Sequence, residues 1–294
     1  MKKYVLLTLL VVFVSLQISL GYSASPQPKT LIVEDAHYEW SNSDLEPYYT
    51  ESLENNGLKY DTCRVKESTD IGPGFDTARC TGGPEDRKLS DYNIVIWFTG
   101  SDYGGDQYPT LTESDRDSLA TFLDNGGNLF ITGQWIGYDI GSTTFYEDYL
   151  HSNFEQNDYD ECGLHDGSVK GVSRDPISDN ILINIKGGAG NQKEPSIISS
   201  SDSYSTGVFD YGYRSWEIGV GCQEKYKTYY GALRSDTGGP TGYKNTLFEF
   251  GFEGINNSEK RTGVMRRVFN YLSGPKTRKT EISPSSLNGE SYVN

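Results

Sequence analysis

Gly126-Gly127-Asn128-Leu129-Phe130-Ile131-Thr132-Gly133-Gln134-Trp135-Ile136-Gly137 carries three signals in succession. The glycine pair, after Asn125, closes a helix. Asn128–Thr132 reads as a buried strand. Gly133 and Gly137 then flank a turn into the next element. Upstream, Thr112-Glu113-Ser114-Asp115 is a capped helix start, and Leu119, Phe122 and Leu123 share one face of that helix. Before it, Ile94-Val95-Ile96-Trp97-Phe98 is another buried strand, ending at Thr99-Gly100-Ser101-Asp102.

The same alternation extends in both directions. Thr30-Leu31-Ile32-Val33 is a buried strand ending in Glu34-Asp35. A helix is expected over Leu45–Asn56, stopped by Asn56-Gly57, and a strand over Tyr60–Val65. Downstream, Phe145–His151 reads as a short helix and Asn245–Phe252 as a late core strand. Ser258–Leu272 reads as a helix with Val264, Met265, Val268, Phe269 and Leu272 inward. From about residue 157 to 235 the pattern changes to short strands at 181–185, 197–198, 208–209, 218–220 and 229–233. That region reads as a β-rich insertion or extension packed on the α/β unit.

Alternating strands and helices with short connections imply an α/β, flavodoxin-like, doubly wound parallel sheet. In such sheets ligands bind beyond the C-terminal strand ends. Those ends carry Glu34, Asp35, His37, Asp102, Tyr103, Gln134, Trp135, Tyr138, Asp139 and Glu253, which form the candidate binding rim.

The chain has 294 residues, 35% of them hydrophobic, enough for a sizeable core. Its net charge of -15 excludes nucleic acid and anionic membrane as natural partners. Lys2-Lys3, the apolar run Tyr4–Leu20 and the small residues around Ser23-Ala24-Ser25 form a secretory signal pattern over 1–24. A run of this length is also at the lower limit for a membrane span, so an uncleaved anchor is the alternative. Either way the expected location is extracellular or at the cell surface. The unit then spans 25–274, and 275–294 reads as a disordered tail. Four cysteines suit an oxidising compartment. Of the three possible connectivities, Cys63–Cys80 with Cys162–Cys222 is favoured, and free buried thiols are the alternative. Asn256-Asn257-Ser258 is a glycosylation sequon.

Several separated motifs occur in the order of one family. They are Leu31–Asp35, Tyr92–Asp102, the 111–127 helix, Gly126–Gln134, Ile136–Gly141, Asp175-Pro176-Ile177-Ser178-Asp179 and Phe250–Ile255. Over roughly residues 29–274 the chain resembles the class I glutamine amidotransferase-like domains of secreted bacterial and archaeal proteins, often attached to extracellular peptidases. The resemblance implies a flavodoxin-like sandwich. It also implies a nucleophilic Cys at the centre of G-x-C-x-G and a His-x-Glu pair after the last core strand. Here Gly133-Gln134-Trp135-Ile136-Gly137 keeps both elbow glycines but places Trp135 at the nucleophile position. Gly251-Phe252-Glu253 keeps the Glu, as a possible remnant, and replaces the His. An indole cannot attack a carbonyl, so glutamine hydrolysis is not expected.

Other chemistry is sparse. There is no G-x-S-x-G and no HExxH. A zinc site at His151 and His165 with Asp160 or Asp166 is a weaker candidate than positioned histidines. The run Gly187-Gly188-Ala189-Gly190 reads as a turn. Asp35, Asp102 and Asp139 are candidate ligands for Ca2+. Hydrogen bonding of these carboxylates to loop N–H groups is the competing reading, and no organic cofactor is expected. Tyr38, Trp40, Tyr103, Tyr108, Trp135 and Tyr138 gather near the rim, where aromatic faces suit a carbohydrate or peptide. Trp135 is expected to plug the space a substrate would use. The leading expectation is a secreted non-catalytic module binding a carbohydrate, peptide or extracellular protein. The alternatives are a hydrolase using Asp35, Asp139 or Glu253, and a membrane-anchored structural surface protein.

Overall fold

The computed structural model describes residues 26–36, 44–65, 88–102, 104, 109–157, 167–189, 192, 194–211 and 230–276. Its parallel half contains β1 (Thr30–Glu34), β2 (Asp61–Arg64), β3 (Ile94–Gly100), β4 (Asn128–Gly133) and β11 (Lys244–Phe248), in the order β2-β1-β3-β4-β11. All four pairings are parallel. This is the flavodoxin-like order, with a topological switch between β1 and β3.

Alternation along each strand builds two cores. Ile32, Ile96, Phe98, Phe130 and Phe248 face one side of the sheet, where α1 (Glu46–Glu54) and α4 (Ser258–Ser273) bring Tyr49, Leu53, Val264, Met265 and Val268. Leu31, Val33, Val95, Trp97, Leu129, Ile131 and Leu247 face the other. There α2 (Glu113–Asp124) and α3 (Ile136–Ile140) bring Leu119, Phe122, Leu123 and Ile136. Each such side chain taken from water contributes about 1.5–3 kcal/mol. The expected cap of α2 is present. Thr112 Oγ1 accepts from the Asp115 amide at 3.2 Å, and Asp115 Oδ2 accepts from the Thr112 amide at 2.9 Å.

Of the two readings of the β-rich region, insertion or extension, the structure shows the extension. β6 (Ser168–Gly171), β7 (Leu182–Asn184), β9 (Ser205–Asp210) and β10 (Ala232–Asp236) do not pack on the α/β unit as a separate layer. They extend the same sheet beyond β11 as β10-β9-β6-β7, all antiparallel. Among the described residues, β5 (Ser152–Asn157) and β8 (Ser196–Ser200) alone pair apart, as a two-stranded ribbon. β5 begins before the expected boundary, and β6 was not anticipated, because Ser168-Val169-Lys170-Gly171 offers a single apolar residue.

Two other boundaries also move. The expected strand over 229–233 is Ala232–Asp236, with Tyr230 forming only an isolated bridge to Ile198. The expected helix over Phe145–His151 is one π-helical turn, Phe145–Tyr149. It cannot continue because His151 takes φ 55°. The 218–220 strand, residues 1–24 and most of the 275–294 tail lie outside the described residues.

Candidate functional site

The turn after β4 is an elbow forced by close packing. A Cβ on Gly133 would lie 1.9 Å from Thr99 Oγ1. A Cβ on Gly137 would lie 2.7 Å from both the Phe154 ring and the Tyr146 hydroxyl oxygen. Neither position accepts a side chain without moving its neighbours. Between them Trp135 takes φ 63° and ψ 1°, in the left-handed region. For a bulky L-residue this costs about 1–2 kcal/mol. The surrounding packing holds this tight turn with an indole at its apex.

Trp135 is half-buried and Tyr138 is 59% exposed. Their rings meet edge to face, 5.1 Å apart at 76°. Phe154 of β5 meets Tyr138 at 6.3 Å and 80°. Edge-to-face packing leaves ring faces available beside each contact. The elbow therefore carries an aromatic corner at the surface.

Beneath the elbow lies a residue absent from the expected rim. Glu249 follows β11 and is fully buried. Its Oε2 accepts the Gly137 amide at 3.0 Å, and its Oε1 accepts the Tyr146 hydroxyl at 2.7 Å. Burial pushes its carboxyl up to about 7, against the pull of the Gly137 N–H and the Tyr146 and Ser196 hydroxyls. A lone acid between Phe248 and Phe250, inside an apolar strand pattern, was the signal in the sequence.

The expected rim divides into groups with different surroundings. Glu34 is buried and accepts from Arg64 Nε at 2.7 Å across the β1–β2 pairing. Gln134 is buried, and its Oε1 accepts the Glu194 amide at 2.8 Å. Glu253 is buried on the α1 side, where Oε2 accepts from the Tyr49 hydroxyl at 2.6 Å and Oε1 from Gln192 Nε2 at 3.3 Å. Asp139 is half-buried, and its Oδ2 accepts the Thr110 amide at 2.8 Å and the Thr110 hydroxyl at 2.9 Å. The Asp139 carboxylate thus accepts from a loop amide, whereas Glu34 and Glu253 accept from side chains.

Asp35 differs from these. It is half-buried at the end of β1, and the Trp97 indole N–H reaches its Oδ2 at 3.1 Å. Burial, with the charges of Asp115 and Asp102, pushes its carboxyl well above the usual range, and the Trp97 bond offsets part of that. Asp102 itself is buried. His37, Tyr103, Tyr38, Trp40, Tyr108 and His165 lie outside the described residues. Among the described residues no group of three His, Cys, Asp or Glu side chains is placed to hold a metal ion.

His151 is buried between Asp202, at 2.7 Å from Nδ1, and the Tyr243 hydroxyl, at 2.9 Å from Nε2. This is a positioned histidine joining three segments. Cys63 is buried in β2, whereas Cys80, Cys162 and Cys222 lie outside the described residues, and both expected pairings with them. Asn256 is exposed, just before α4, which Asn257 caps by accepting the Lys260 amide at 2.8 Å.

Gly251, where the resemblance implies a histidine, is closed in by packing. A Cβ on Gly251 would lie 2.0 Å from Glu253 Oε1 and 2.5 Å from Gln192 Nε2. The Gly251 amide instead donates to Gln192 Oε1 at 2.6 Å. No imidazole fits there in this arrangement. An open groove of about 1050 Å3 lies at the opposite pole of the sheet. Pro26, Asn93, Asn128, Leu272 and Lys276 line it, at the N-terminal ends of β3 and β4. That is the wrong end for the strand-end chemistry of this fold, so the elbow is the better candidate.

No protein-family model and no curated protein matches the chain. Among solved structures, a ThuA-like protein from Parabacteroides merdae aligns over 86% of this chain and 93% of its own, at 13% identity and a TM-score of 0.50. The N-terminal domain mmIFT52 aligns over 84% of this chain and 99% of its own, at 9% identity and a TM-score of 0.49. ThuA has a glutamine-amidotransferase-like fold, and the first likeness is one of fold. The chain is a flavodoxin-like α/β protein with a strand-rich extension. Among the described residues no helix is long and apolar enough to cross a membrane.

Proposed function

We propose that this chain is a secreted, non-catalytic module of the amidotransferase-like fold that binds through its elbow. The observation that carries this reading is the exposed Tyr138 ring set edge to face against Trp135, at the position where the fold otherwise presents a nucleophile. Such rings offer faces to sugar C–H groups or to the side chains of a peptide. The charge of -15 disfavours anionic ligands, so a neutral or cationic carbohydrate, peptide or extracellular protein surface is the ligand class. Secretion follows from the signal pattern over 1–24, and the two disulfides belong to the same reading.

The test is a glycan and peptide array probed with the mature chain and with Trp135→Ala and Tyr138→Ala. Loss of the same signals in both variants supports the reading. An array signal that both variants retain contradicts it.

A second reading is a hydrolase with Asp35 as general acid. Its support is the half-buried Asp35 carboxyl, pushed well above the usual carboxylate range by burial and by the neighbouring Asp115 and Asp102. Turnover of a glycoside or peptide substrate that Asp35→Asn abolishes, at unchanged thermal stability, would favour it.

A further inference from the structure

Helix α3 starts without a side-chain cap of its own. Its N-cap residue is Trp135, which has no oxygen acceptor to offer the first free amides. Glu249, from the end of β11, supplies that acceptor to Gly137 at 3.0 Å. We propose that Glu249 is the positioning residue of the elbow: its carboxylate fixes the Gly137 amide and thereby the pose of Trp135 and Tyr138, and protonation releases that hold. This rests on the reading of the elbow as the binding surface and names how that surface is regulated.

The geometry confines the change to the carboxyl group. The Glu249 backbone is tied on both sides, its amide to Gly231 O at 2.9 Å and its carbonyl to the Ser196 amide at 3.0 Å. The main chain of Glu249 therefore stays in place when the side chain changes state. The Tyr146 hydroxyl faces it from the π-helical turn, the Ser196 hydroxyl from β8, and Tyr211 lies close to Tyr146. Burial, then the Glu249 charge, pushes Tyr146 well above its ordinary range, so Tyr146 remains a neutral donor. On α3, Asp139 is engaged by Thr110. Among the described residues no Lys, Arg or His pairs with Glu249.

As a carboxylate, Glu249 accepts both bonds with charge assistance. As an acid, it gives the Gly137 amide a bond about half as strong. Its carboxyl titrates at about 7, so the change falls in the ordinary pH range.

The experiment uses the full mature chain labelled with 5-fluorotryptophan. The protein has four tryptophans, and Trp135→Phe identifies the elbow resonance. In 19F spectra from pH 5 to 9 that resonance shifts with a midpoint near 7 in the wild type and stays flat in Glu249→Gln. A titration that persists in Glu249→Gln, or a wild-type resonance that does not move, overturns the proposal. If Glu249→Gln does not fold, Tyr146→Phe decides. Removing a donor to the carboxylate raises the midpoint if the proposal is right, and an unchanged midpoint overturns it. No ligand enters this experiment, so its result stands apart from the array result on binding.

Discussion

Glu249 and Glu253 follow the same strand, and each places a buried carboxylate against a buried tyrosine. Tyr146 reaches Glu249 at 2.7 Å, and Tyr49 reaches Glu253 at 2.6 Å. Their neighbours separate them. Glu249 lies under the elbow and bonds the amide of Gly137, the residue before the exposed Tyr138. Glu253 lies on the α1 side, among Tyr49, Gln192 and the space Gly251 leaves open. The first supports a surface. The second fills the volume beside Gly251, where its Oε1 lies 2.0 Å from the place a Cβ would take.

The sharpest way to break this comparison is to place a histidine at Gly251. Gly251→His forces an imidazole into contacts already below 3 Å for a Cβ. It should cost about 3 kcal/mol by urea denaturation. A variant of unchanged stability would mean that the Glu253 side has room for a catalytic group.

Glu249→Gln tests the other side by its pH dependence. The Glu249 carboxyl is raised from 4.5 to about 7 in the folded state. The native chain therefore holds a proton that the unfolded chain has lost between these values. The stability this group contributes is fully present below about 4.5 and is lost as pH rises through 7. The glutamine variant lacks this term. Its stability relative to wild type should rise by about 3 kcal/mol between pH 5 and 8. A difference independent of pH would contradict the assignment.

Two smaller effects sharpen the contrast. Tyr49→Phe removes the 2.6 Å donor to Glu253 and should cost about 1–3 kcal/mol, read from the denaturation midpoint. Thr110→Val removes one of two bonds to the half-buried Asp139. It should cost about 1 kcal/mol or less, read as a small drop in melting temperature.

The parallel half of the sheet was legible because its strands are continuous apolar runs. Leu31–Val33, Ile94–Phe98 and Leu129–Ile131 are buried on both faces, and hydropathy alone marks them. The antiparallel half was not. Ser168–Gly171 and Ser205–Asp210 mix serine, glycine and charge with few apolar side chains, and their place beyond β11 depends on pairing across distant segments. The same difference holds at the site. The glycines that bracket Trp135 were readable as an elbow, because close packing leaves a residue signature. The Glu249 support was not, because it joins residues 112 positions apart. The rim carboxylates were overcounted: a strand end fixes a residue's position but not its partners, and Glu34 and Glu253 turn inward.

The central claim is that the elbow binds and the Glu253 side only supports. The most direct measurement takes the strongest array ligand and titrates it calorimetrically into wild type, Trp135→Ala and Glu253→Gln at pH 8. The account predicts at least about a tenfold weaker affinity for Trp135→Ala, or roughly 1.4 kcal/mol, and wild-type affinity for folded Glu253→Gln. Wild-type affinity in Trp135→Ala together with lost binding in Glu253→Gln would contradict it.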